Sequence, residues 1–191
     1  EKICLTFESF LLRTPDHNIL VDICVGDHNT HRKGLLFPKD RWLTEFHGAG
    51  VTFGDIDYVF CTHLHVDHVG WNTRLKNGRL VPTFPNAKYI IGKREYECWL
   101  RWNKKFGPHP FRPSFEECVL PIVGADRAIL LNDDFELNDL IHLSPAPGHT
   151  PGRCCANLSS NGTKAIFAGD ALHHPWKQQL RKLQPPCYQP L

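Results

Sequence analysis

Residues 18–25, Asn-Ile-Leu-Val-Asp-Ile-Cys-Val, form an apolar run that ends at Gly26 and predicts a buried strand. Asp22 interrupts the run, and a carboxylate inside a strand needs a partner. Over residues 38–47 the apolar positions are Trp42, Leu43 and Phe46. Pro38 suits a first helical position and Gly48 a stop, so a short amphipathic helix is expected. Residues 56–61 predict the next strand, and the polar segment 62–72 follows at once. Residues 87–91 read as another strand and 93–102 as a helix, while the recurring prolines of 106–113 require an irregular loop able to flank a pocket. Short strands are expected at 128–131, 140–143, 154–158 and 165–167, the first two bracketing the acidic stretch 132–136. Strands and helices are mixed and there is no internal repeat. The pattern is that of an α/β fold with helices on the outer faces of sheets and chemistry in the loops after strands.

Composition narrows the function. With 191 residues, 41% of them hydrophobic and 22% charged, the chain can bury a core, and a single domain over 1–191 is expected. A formal charge of +2 is too balanced to hold a polyanion, so no nucleic-acid partner is expected. The basic groups Arg74, Lys76, Arg79 and Lys104, Lys105 are short and scattered, which argues against a nuclease. The apolar stretches are far shorter than the roughly 18 residues of a membrane helix. No secretory signal is visible either, so no membrane partner and a cytoplasmic location are expected. The eight cysteines are scattered without a CxxC pair and read as reduced, partly buried thiols. Twelve histidines accompany no methionine, which points either to a trimmed chain or to lost methionine positions.

Those histidines concentrate where the chemistry is. His63-Leu-His65-Val-Asp67-His68 gathers three imidazoles and a carboxylate directly after an apolar strand. Imidazole nitrogen and carboxylate oxygen are ordinary zinc ligands. In an extended segment His63 and His65 point to one side and can share an ion, whereas Asp67 and His68, at the turn into a helix, can reach a neighbouring one. His149 lies in the rigid turn Ser-Pro-Ala-Pro-Gly-His-Thr-Pro-Gly of residues 144–152, and Asp170 in the turn Ala168-Gly169-Asp170, each after a strand. Taken singly, His149 could be a loop residue and Asp170 a helix cap; together with the first cluster, coincidence is a poor explanation.

At these residues the sequence resembles the metallo-β-lactamase superfamily of metallohydrolases, whose signature is HxHxDH, a GHTPG-type turn and a Gly-Asp after a strand. The resemblance covers about residues 16–175 and implies a four-layer αβ/βα sandwich with a two-metal site at one edge. It assigns His63, His65 and His149 to one ion and Asp67 and His68 to the other, with Asp170 bridging and Asp22 supporting from behind. The implied cofactors are two divalent ions, zinc first, with manganese, iron or cobalt also acceptable to these ligands. Two cations sharing a water generate a hydroxide that attacks a carbonyl or phosphoryl centre, and Asp67 or Asp170 would orient it and pass its proton on. The wording around both motifs is most similar to the lactonase and methyl parathion hydrolase-like branch. There the side chain three places after the bridging Asp, here His173, helps hold the substrate oxygen.

The resemblance implies a hydrolase of a small ester, a lactone such as an acyl homoserine lactone first and a phosphotriester next. The implied partners are that small molecule and, as an open alternative, a second copy in a homodimer. A thioester or β-lactam hydrolase of the same fold is the enzymatic rival. His65 stands where flavin-linked di-iron relatives carry Glu, which argues against redox chemistry. The family's last histidine for the second ion comes from a strand well past the Gly-Asp motif, and residues 176–191 contain none. This polar, Pro-ended tail reads as an alternative terminus or an incomplete chain. The omission keeps open a metal-binding homologue with reduced or no turnover. Trp71, Trp99, Trp102 and Phe106 are candidates for an apolar pocket wall, although the helix-spaced aromatics 99, 102 and 106 read first as core.

Overall fold

The computed structural model describes residues 6–26, 41–108, 113–132 and 134–171. Its first sheet has the order β1-β2-β3-β6-β7, formed by β1 (Phe10–Arg13), β2 (Asn18–Val21), β3 (Tyr58–Cys61), β6 (Lys88–Gly92) and β7 (Ala128–Leu131). β2, β3, β6 and β7 run parallel, and β1 pairs antiparallel with β2 at the edge. A second, antiparallel sheet has the order β11-β10-β9-β8, from β8 (Phe135–Asn138), β9 (Ile141–Pro145), β10 (Cys154–Ser160) and β11 (Thr163–Phe167). A hairpin of β4 (Thr73–Lys76) and β5 (Arg79–Pro82) stands apart from both.

Strand alternation sorts the core into two layers. Leu20, Val59, Cys61, Tyr89 and Ile91 face the helices α1 (Arg41–Gly48), α3 (Lys93–Phe106) and α4 (Leu120–Gly124), which contribute Phe46, Trp99 and Ile122. Ile19, Val21, Phe60 and Ile90 point the other way, onto Ile141, Leu143, Cys154 and Ala156 of the second sheet. Three layers result: helices, five-stranded sheet, four-stranded sheet. The fourth layer, implied by resemblance, is not among the described residues, and residues 163–166 of β11 are exposed. No described helix is long and apolar enough to cross a membrane.

The strand expected over 18–25 stops at Val21. Asp22 and Cys24 adopt left-handed backbone (φ 49° and 47°), and the segment turns to pair with the loop around His68. Ile23 donates to the His68 carbonyl, Gly70 to that of Cys24 and Trp71 to that of Ile23. Gly70 permits this approach, because a Cβ there would lie 1.8 Å from the Val25 carbonyl carbon. The helix expected over 93–102 continues to Phe106 and ends at Gly107, whose φ is 76°. The helix expected over 38–47 is α1, with residues 38–40 outside the described residues, as are 109–112 of the expected loop. The strand expected from 140 starts at Ile141, and β10 and β11 are longer than expected. β1, the β4–β5 hairpin, β8, the π-helical turn Phe115–Val119 and α4 are additional elements.

Candidate metal centre

Each candidate ligand lies in a segment that follows a strand. β3 delivers Thr62 and His63, and the short helix α2 (Val66–Val69) carries Asp67 and His68. β9 leads into the turn holding His149, and β11 into the turn holding Asp170. Cys154 N–H donates to the Thr62 carbonyl, joining the second sheet to this rim. Gly169, at φ +50°, lies over Thr62, where a Cβ would be 2.5 Å from the threonine hydroxyl; this brings Asp170 into the centre.

Two donor groups converge. His63, His65, His149 and Asp170 form one, and Asp67, His68 and Asp170 the other, with the ligand atoms in each within 4.8 Å of one another. His65 Nδ1 lies 3.0 Å from His63 Nε2 and 2.9 Å from His149 Nε2. Asp170 Oδ2 stands 3.9 Å from His63 Nε2 and 3.4 Å from His149 Nε2. Its other oxygen is 3.3 Å from His68 Nε2, which is 3.7 Å from Asp67 Oδ2. Donors about 2.1 Å from a tetrahedral ion would be roughly 3.4 Å apart, so the nitrogen and oxygen donors are spaced as divalent-cation ligands, with Asp170 common to both groups.

In the first donor group electrostatics agree with that fit. Burial, reinforced by the neighbouring imidazoles and Arg153, pushes His63 well below its ordinary range, and burial also lowers His65. Both are therefore neutral imidazoles, the form that donates a lone pair to a metal. Burial opposes charge on His68 too, but hydrogen bonds to Asp170 and Asp22, with the Asp22 and Asp67 charges, hold it up at about 10, so this ring must give up its Nε2 proton before it can ligate a cation. Asp22, 5% exposed, lies 2.8 Å from His68 Nδ1 and accepts hydrogen bonds from the Thr62 N–H and hydroxyl. That leaves His68 Nε2 facing Asp67 and Asp170.

The structure thus brings His63, His65, Asp67, His68, His149 and Asp170 together, with Asp22 behind them. His173 lies outside the described residues. Trp71 is not in the wall: it is buried and stacks on Trp42 at 4.8 Å. Trp99, Trp102 and Phe106 step outward along α3 from His65, with successive ring centroids 5.9, 6.3 and 5.6 Å apart. Trp99 also packs on the core, while Phe106 is exposed. Three residues were missed in the sequence. Thr62 carries Asp22, Glu95 accepts backbone hydrogen bonds from two motif loops, and Arg153 donates to the Ala168 carbonyl beside Gly169. A Thr after a strand, a Glu in a helix's first turn and an Arg after a turn carry no distinguishing sequence signal.

Residues 8–176 match the family model of the metallo-β-lactamase superfamily, and the chain belongs to that superfamily. An N-acyl homoserine lactonase of Bacillus cereus is 29% identical over 156 residues, which are 75% of this chain and 54% of the relative. A hydroxyacylglutathione hydrolase of Brucella ovis is 25% identical over 171 residues, 88% of this chain and 52% of the relative. The chain spans about half the length of these curated relatives. Among solved structures, an N-acyl homoserine lactone hydrolase with N-hexanoyl-L-homoserine at its metal centre superposes with a TM-score of 0.68. It is 22% identical, and the match covers 97% of this chain and 71% of that one. A dizinc quorum-quenching lactonase superposes at 0.65 with 23% identity, covering 86% of this chain and 56% of that one. These likenesses establish the shared fold.

Proposed function

We propose that the chain binds two divalent cations, zinc in the first place, and hydrolyses a small neutral ester, with an N-acyl homoserine lactone as the favoured substrate. The convergence of six ligand side chains from three separate motifs, with Asp170 common to both groups, carries this reading. Bound cations would supply Lewis acidity and lower the pKa of a shared water toward neutrality. The protein's own part is positional. Asp22 and Thr62 fix the ring of His68; Asp170 faces His63 and His149 with one oxygen and His68 with the other. Asp67, a quarter exposed, is placed to take a proton and return it to the leaving oxygen. Trp99, Trp102 and Phe106 offer an apolar track from His65 to the surface, suited to an acyl chain. His173 remains the proposed contact to the substrate oxygen.

Metal content and hydrolysis test this together. Protein purified without chelators should carry about two ions per chain and open acyl homoserine lactones, and His63→Ala or Asp67→Ala should abolish the hydrolysis. Unchanged turnover in both variants would remove the site from the mechanism. The Brucella relative makes a glutathione thioester the second substrate to assay: thioester cleavage without lactone opening would replace the lactone reading. Metal uptake with neither activity would leave a metal-binding homologue.

A further inference from the structure

Glu95 is 1% exposed in the first turn of α3, and the mechanism above does not use it. Its two carboxylate oxygens serve different motifs. Oε1 accepts the N–H of Leu64, the residue between His63 and His65, at 3.3 Å, and the indole N–H of Trp99 at 2.9 Å. Oε2 accepts the N–H of Gly152, three residues after His149, at 2.9 Å. Two of these three bonds leave the helix altogether, which a local helix-capping role does not explain. A buried carboxylate is costly unless its oxygens are satisfied, and here two loops satisfy them. The spacing is tight: a Cβ on Gly152 would lie 2.0 Å from the Glu95 nitrogen, so the His149 turn is seated directly on the start of α3.

We propose that Glu95 is a positioning residue for the His63, His65 and His149 donor group. Its carboxylate spans the two loops that carry these imidazoles and sets the distance between them, and with it the affinity and geometry for a divalent cation. This inference rests on the metal-centre reading above. It extends that reading to a residue on a third segment of the chain that touches neither cation nor substrate.

Glu95→Gln keeps the shape but presents an amide NH2 to one of the two loops, and Glu95→Asp keeps the charge but is one methylene short of the span. Zinc titration against a chromophoric chelator, alongside the visible spectrum of cobalt-loaded protein, reads the consequence without an activity assay. The wild-type chain should take up metal, and both variants should bind the first ion roughly 10- to 100-fold more weakly, as when a residue supporting a metal ligand is lost. The cobalt bands should shift as well. Circular dichroism of the metal-free forms identifies the folded variant; if the Gln variant does not fold, the Asp variant carries the comparison. Wild-type affinity and an unchanged cobalt spectrum in a folded variant would overturn the role of Glu95 and leave the metal centre standing. A wild-type chain that takes up no metal would overturn both.

Discussion

Asp22 shows how much a single residue can reveal and conceal. Its place in an apolar run marks it as needing a partner, and the partners are Thr62 and His68. What the run hides is its backbone: the left-handed φ of 49° at Asp22 ends the strand one residue earlier, at Val21. Asn tolerates that conformation but cannot offer two anionic oxygens. Asp22→Asn should therefore keep the fold and weaken the second ion by roughly 10- to 100-fold, read by metal titration. Glu95 was not legible, since Lys-Arg-Glu-Tyr-Glu looks like any solvated helix start. Cys24, Cys61, Cys98, Cys154 and Cys155 are free thiols, as scattered spacing suggests. Burial pushes Cys24 and Cys154 up to about 11. Only about one in a thousand of either is thiolate at pH 8, and the fraction grows tenfold per pH unit until it nears the pKa. Alkylation mapped by mass spectrometry should find both sites nearly unmodified at pH 8, with half-buried Cys98 labelled first among the described thiols.

At the level of elements, the motif loops were legible because each follows a short apolar strand and is stiffened by Pro or Gly, whereas several connecting elements were not. Asn77-Gly78 and Asn161-Gly162 turn the hairpins β4–β5 and β10–β11, all four residues at positive φ, a signal present in the sequence and passed over. β8 lies partly in the acidic stretch, where Phe135 and Leu137 alternate with polar residues and pack on the core shared by the sheets. α2 is so short that only its contacts hold it, and the 22–26 segment lies directly against it through Gly70. Gly70→Ala should cost at least about 1–3 kcal/mol, the usual range for overpacking a close contact, and lower the denaturant midpoint without changing its slope. Gly50→Ala is a poor control, since its φ is 73°; Gly48→Ala, with nothing within 4 Å, should be nearly neutral in the same measurement.

For the whole molecule, the α/β class and the order of the three motifs were readable, and the layering was readable only by resemblance. Periodicity identifies strands, but which sheet a strand joins depends on contacts across long separations. Cation binding should act on the whole fold, because the ligands come from both sheets. At a free zinc concentration about 100 times the dissociation constant, the chain should gain about 2.7 kcal/mol. That corresponds to a rise in Tm of roughly 5–10 °C, which calorimetry with chelator and then with restored zinc should register. The two sheets also do not interleave in sequence: the first closes with β7 by Leu131, and the second begins only at Phe135. His65 and His149 are 84 residues apart. During synthesis the first sheet can therefore pair while its inner face, with Ile19, Val21, Phe60 and Ile90, has nothing to cover it. Both donor groups include Asp170, so they are complete only once the second sheet has docked, and until then the chain carries four of its six ligands beside an uncovered apolar face prone to association.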